Sequence, residues 1–102
     1  MKIYWSPFSV ERLEQIFDYL AAEDINIARK TIKRILTKAV SLYKFPVRGR
    51  IVPEAGRYDI RELFSSGYRI IYKTGKGRIT IITIRKFCQS LRKIDLISAP
   101  PG

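Results

Sequence analysis

Apolar positions along this chain follow two rhythms. Through Tyr58–Lys86, YDIRELFSSGYRIIYKTGKGRITIITIRK, runs rich in Ile, Tyr, Phe and Thr are broken by glycine-bearing turns. That pattern predicts three strands, Tyr58–Phe64, Tyr68–Lys73 and Arg78–Ile84. Ser65-Ser66-Gly67 and Thr74-Gly75-Lys76-Gly77 supply the turns between them. A two-residue loop at Gly75-Lys76 pairs Tyr72 with Ile79 and Ile70 with Ile81. A three-residue loop at Ser65–Gly67 pairs Phe64 with Tyr68 and Ile60 with Tyr72. Alternation then assigns Ile60, Phe64, Tyr68, Ile70, Tyr72, Ile79 and Ile81 to a core face. The opposite face receives Arg61, Leu63, Arg69, Ile71, Lys73, Ile82, Ile84 and Lys86, a mixture of apolar and positively charged groups that suits an acidic, amphipathic partner.

The N-terminal part repeats at helical spacing. Lys2–Trp5 is a short strand candidate. Ser6 followed by Pro7 is a helix start, a capping hydroxyl and then proline at the first helical position. The helix runs to about Ala22, with Leu13, Ile16, Phe17 and Leu20 on one face. Asp24 or Asn26 caps a second helix that reaches about Tyr43. Its apolar face is Ala28, Ile32, Ile35, Leu36, Ala39, Leu42 and Tyr43, and its polar face holds Arg29, Lys30, Lys33, Arg34 and Lys38. The short connection makes the two an antiparallel hairpin, with Ile16, Phe17, Ile32, Ile35 and Leu36 expected between the helices and the sheet. Phe45–Arg50 opens a loop that continues to Arg57. After the third strand of the meander, Phe87–Ile97 is expected to form one short helix, and residues 98–102 a flexible tail. The fold class is α+β: an N-terminal strand, a helical hairpin, a three-stranded antiparallel meander and a short C-terminal helix, in one domain spanning 1–97.

Length and composition narrow the class. At 102 residues and 46% hydrophobic content the chain suffices for one core. A lone cysteine, Cys88, excludes an internal disulfide framework and favours a cytoplasmic location. No apolar run approaches the roughly 20 residues of a membrane span, and the start lacks the apolar centre of a signal peptide. The net charge of +11 is concentrated: residues 44–93 hold thirteen Lys or Arg against Glu54, Asp59 and Glu62. Such a field attracts nucleic acid or an acidic protein.

The same residues limit the chemistry. With no histidine the usual general base is missing. One cysteine and no histidine leave no plausible zinc site, and Cys88 reads as a small buried hydrophobe. Asp59 and Glu62 fall on opposite faces of one predicted strand and do not form an acid/base pair. Gly75-Lys76-Gly77 lacks the spacing and the following helix of a phosphate loop. No cofactor or metal is expected. What remains is arginine and lysine, which bind phosphate or stabilise a developing negative charge.

Pro46–Glu54 (PVRGRIVPE), Ile60–Leu63 (IREL) and Tyr68–Tyr72 (YRIIY) together resemble the RelE/ParE superfamily of toxins from type II toxin–antitoxin operons. The resemblance covers nearly the whole chain and implies the fold just described. RelE-like members are ribosome-dependent mRNA endonucleases, whereas ParE-like members inhibit DNA gyrase by direct binding. The positions of the RelE-type basic residues on the equivalent strand are Ile60 and Glu62 here. The arginine after the last strand is replaced by Phe87, and the expected C-terminal tyrosine is absent. Only Arg69 remains, which ParE-like members share. The resemblance therefore implies the ParE-like branch, a gyrase-inhibiting toxin of the kind tied to plasmid stabilisation. Its implied partners are gyrase and an acidic cognate antitoxin, with no membrane and no sequence-specific DNA binding by the toxin alone. Lys86 departs from the family, whose ParE-like chains often carry histidine there. The alternatives are a RelE-like nuclease and a binding module without toxicity. The residues assigned to antitoxin or target contact are Arg50, Arg61, Leu63, Arg69, Ile71, Lys73, Ile82 and Lys86. No catalytic residue is assigned. Arg50 and Glu54 have a structural alternative, that of tying their loop to the sheet.

Overall fold

The computed structural model describes residues 2–87. Its elements are β1 (Lys2–Trp5), α1 (Pro7–Ala21), α2 (Ile25–Val40) with a following 3-10 turn at Ser41–Tyr43, β2 (Arg50–Ile51), β3 (Ile60–Ser65), β4 (Tyr68–Gly75) and β5 (Arg78–Lys86). They form the expected α+β arrangement of N-terminal strand, helical hairpin and antiparallel meander. Beyond its first residue, Phe87, the expected helix over Phe87–Ile97, Cys88 within it and the tail at 98–102 lie outside the described residues.

Each helix starts where its cap dictates. Ser6 Oγ accepts the Ser9 amide at 3.1 Å and donates to the Ile82 carbonyl at 2.9 Å. The cap of α1 is thereby fastened to the sheet. Asp24, not Asn26, caps α2, its carboxylate accepting the amides of Asn26 and Ile27.

The sheet order is β1-β5-β4-β3-β2. β1 lies parallel to β5, Ile3 beside Ile79 and Trp5 beside Ile81, while every other pair is antiparallel. The two-residue β2 was not expected. It lies in the segment read as loop and pairs Arg50 with Glu62 and Ile51 with Arg61.

The register differs from the sequence expectation at both turns. Ser65 pairs with Tyr68, so the first turn has two residues rather than three. Ser66 and Gly67 have φ of 52° and 83°, the left-handed pair that a tight hairpin uses. Shortening the loop by one residue turns β3 over. Leu63 now faces the helices opposite Ile70, whereas Ile60, Glu62 and Phe64 face away from them. In the second turn Gly75 pairs with Arg78, which places Tyr72 opposite Ile81. A bulge between Ile71 and Tyr72 then inserts Ile82, so that Ile70 meets Ile84 and Tyr68 meets Lys86. Ile84 and Lys86 thereby move to the helix side, away from the face first assigned to them.

Two cores result. Under the helices, Ile35, Ala39 and Leu42 pack on Leu63, Tyr68, Ile70, Tyr72, Ile79, Ile81 and Ile84, with Ile3, Trp5, Leu13 and Ile16 at the margin. On the opposite face Val52, from the loop after β2, covers Ile60, Ile71 and Ile82, with Ala55 alongside. The second face is thus a small core with its own lid. Leu36 is 40% exposed, not buried as expected, and Phe17 and Ile32 are half-buried.

Candidate functional site: a buried ion-pair chain and the surfaces around it

The three signature segments converge on the lidded face. Arg50 Nε donates to Glu62 Oε2 at 2.6 Å across the β2–β3 pair. Glu62 Oε1 accepts from Arg69 Nε at 2.7 Å. Arg69 turns its remaining nitrogens to Glu54, NH1 to Oε2 at 2.9 Å and NH2 to Oε1 at 3.0 Å, a two-pronged pair on the lid. The side chain of Glu62 is fully buried and that of Arg69 is 6% exposed. Burying both charges is tolerable because each has an opposite partner and saturated hydrogen bonds. The hydrogen bonds to Glu54 raise the Arg69 pKa above its ordinary value, burial works against them, and Glu62 adds to the rise. Arg50 and Glu54 do tie their loop to the sheet.

Gly49 explains the glycine of the same segment. Its amide donates to the Tyr72 hydroxyl at 2.9 Å. A Cβ there would stand 2.5 Å from the Glu62 carbonyl oxygen and 2.7 Å from that hydroxyl. The chain crosses the sheet edge too closely for any side chain. Burial pushes the Tyr72 phenol pKa up, with the Gly49 hydrogen bond and nearby Arg61 and Arg48 opposing. Arg61 NH1 donates to the Gly49 carbonyl at 2.9 Å, completing the clasp.

The eight residues assigned to contact are therefore not on one open face. Arg69, Ile71 and Ile82 lie together on the lidded face, all buried, and Lys73 borders them half-exposed. Leu63 is buried under the helices. Arg61 is on that side too, its guanidinium 5.1 Å from the Tyr58 ring centroid. Lys86 reaches over Tyr19 of α1 at 5.1 Å. Arg50, with its side chain 60% exposed, covers the ring of Phe64. Asp59 precedes β3 and is held by Arg57, so it does not share a strand with Glu62 as expected.

A groove beside the helical hairpin, basic and apolar together, was expected from the sequence; the structure has two, one on each flank of α2. One, of about 490 Å³, runs along the outer seam of the helical hairpin. Phe17, Ile32, Leu36 and Val40 line it, with Arg29 and Lys33 at its rim. The other, of about 650 Å³, lies between α2 and the β3–β4 hairpin and is lined by Lys, Arg, Ser and Thr residues with Phe64. The available signal was the stretch from Ile25 to Pro53, which holds eight Lys or Arg and no Asp or Glu. The basic face of α2 (Arg29, Lys30, Lys33, Arg34, Lys38) was its visible part. Among the described residues no group of histidine, cysteine and carboxylate side chains could hold a metal ion, and no helix is long and apolar enough to cross a membrane.

This architecture, a helical hairpin laid on a meander with the N-terminal strand parallel to the last, is that of the solved chain titled "Chromosomal ParDE TA system from P. aeruginosa". The two superpose with a TM-score of 0.72 at 18% identity, over 84% of this chain and 95% of that one. No curated protein matches. Residues 3–87 match the family model described as the ParE toxin of the type II toxin–antitoxin system, parDE. The chain belongs to the ParE toxin family.

Proposed function

We propose that this chain inhibits DNA gyrase by direct contact and is neutralised by a cognate acidic antitoxin. Family membership supports the toxin class. The observation that carries the choice of target is the position of Arg69. The one basic residue left of the RelE-type set is buried and tied to both Glu54 and Glu62. A guanidinium so engaged cannot swing onto a scissile phosphate without breaking two ion pairs. Ile60 is buried and Glu62 is a carboxylate, so the face where a nuclease would present cations carries none at those positions. Among the described residues no acid/base pair is assembled near Arg69, which favours action by binding.

The outer seam of the helical hairpin suits the antitoxin. A segment that orders on binding would lay apolar residues on Phe17, Ile32, Leu36 and Val40 and its carboxylates on Arg29 and Lys33. Of the contact residues first assigned, Arg50, Arg61, Lys73 and Lys86 keep surface for a partner.

The test compares two activities of the purified chain. It is expected to block gyrase supercoiling of relaxed plasmid and to leave mRNA intact in a translation extract. Codon-positioned mRNA cuts with unaffected supercoiling would replace this reading by the nuclease. Neither effect, from folded protein, would favour a binding module without toxicity.

A further inference from the structure

The groove between α2 and the β3–β4 hairpin draws its lining from cationic and hydroxyl side chains, where the seam on the other flank draws on apolar ones. Lys33, Arg34 and Lys38 form its helical wall, Arg48 its floor, and the β3–β4 hairpin closes it with Phe64, Ser65 and Ser66. Thr37 and Ser41 complete the lining, which includes no carboxylate and only one apolar residue, Phe64. Ser41 Oγ accepts from Arg48 NH1 at 2.8 Å and so holds that guanidinium at the groove. Among the described residues none of the four cations forms a salt bridge. We propose that this groove binds the phosphate backbone of duplex DNA.

Charge and spacing both support that occupant. Arg34 and Lys38 of the groove wall stand four residues apart on α2, and Lys30, outside the lining, continues their row by one more turn. The row spans roughly 12 Å at the helical rise per residue. One DNA strand offers a phosphate about every 3.4 Å along the axis, so the row covers three or four of them. An acidic protein segment needs apolar side chains to rest on between its carboxylates, and the one apolar residue at this groove, Phe64, has its ring covered by the Arg50 guanidinium. The seam across α2 offers four and fits such a segment better. Backbone contacts of this kind do not depend on sequence. The inference rests on the gyrase reading for its setting: gyrase holds duplex DNA, and a toxin that grips both would be anchored at their junction.

The experiment is fluorescence anisotropy of a labelled 20-base-pair duplex titrated with the whole chain at several salt concentrations. Binding is expected in the range typical of non-specific contacts, about 10⁻⁴ to 10⁻⁶ M, with a log–log salt slope of about −3 to −4 for four cations. Arg34→Glu with Lys38→Glu should weaken it at least about tenfold, a loss of roughly 1.4 kcal/mol or more. Lys2→Glu with Lys76→Glu changes the net charge equally, away from the groove, and should weaken binding less than about twofold, since non-contacting charges act only through the screened long-range field. A neutral triple variant, Lys33→Gln, Arg34→Gln and Lys38→Gln, repeats the test without introducing carboxylates, and circular dichroism checks that each variant is folded. Equal loss in the control pair, no duplex binding by the parent chain at low salt, or displacement of the duplex by poly-glutamate at equal charge would overturn the proposal. Preference for single-stranded RNA over the duplex would do the same. The assay contains no gyrase. A chain that binds duplex but fails to inhibit gyrase leaves this site standing and removes the reading above.

Discussion

Gly49 is a residue whose role follows from distance alone. The backbone of Glu62 and the ring of Tyr72 occupy the space a methyl group would need. Neither can retreat, because Glu62 is pinned by two arginines and Tyr72 is fully buried. Gly49→Ala should therefore cost about 1–3 kcal/mol, the range for forcing an extra carbon into a packed site. A urea midpoint within about 0.5 kcal/mol of the parent, the scatter of harmless surface changes, would mean that the β2 edge gives way easily. At this scale the sequence was partly legible. Arg50 and Glu54 could be read as loop-to-sheet ties, because ion pairs between a loop and a sheet are common. The glycine's reason could not, because a residue with ordinary backbone angles reveals its need only through what lies beside it. Arg69 illustrates the same limit: a conspicuous arginine in a strand reads equally well as an exposed contact or as a buried ion-pair partner until its neighbours are placed.

Elements were legible where the pattern was long. Both helices, their caps and the three meander strands follow from spacing and turn residues. Faces were less secure, because each hangs on one residue of loop length. Ser66 takes a left-handed conformation that a serine does not advertise, and that single choice exchanges Leu63 with Ile60 and Phe64. The bulge at Ile82 does the same for Ile84 and Lys86. In α2 the apolar face is wider than the core it meets, so its margin carries Leu36 into the outer seam. A paired substitution tests this placement. Ile35→Ala, in the fully buried position, should cost about 2–5 kcal/mol with its cavity. Leu36→Ala should cost under about 1 kcal/mol and should instead weaken antitoxin binding. Comparable losses of stability in the two would place Leu36 in the core after all.

Across the whole molecule, the feature that sets the order of events is the parallel pairing of β1 with β5. The first strand finds its partner only in residues 78–81, and the Ser6 amide bonds to the carbonyl of Ile81. β5 is also the strand that joins β1 to the meander, and it carries Ile79, Ile81 and Ile84 into the main core. A growing polypeptide therefore has its helical hairpin and its β3–β4 hairpin before the strand that completes the main core and pairs with β1. A chain ending at Gly77 should show helical signal without a cooperative urea transition, and a sharp two-state transition in that fragment would refute the order. For a growth-inhibiting protein this order has a use. A chain still short of β5 lacks the strand that joins β1 to the meander and completes the core. A companion segment that orders only on contact would find its seam complete at the same moment as the toxin itself.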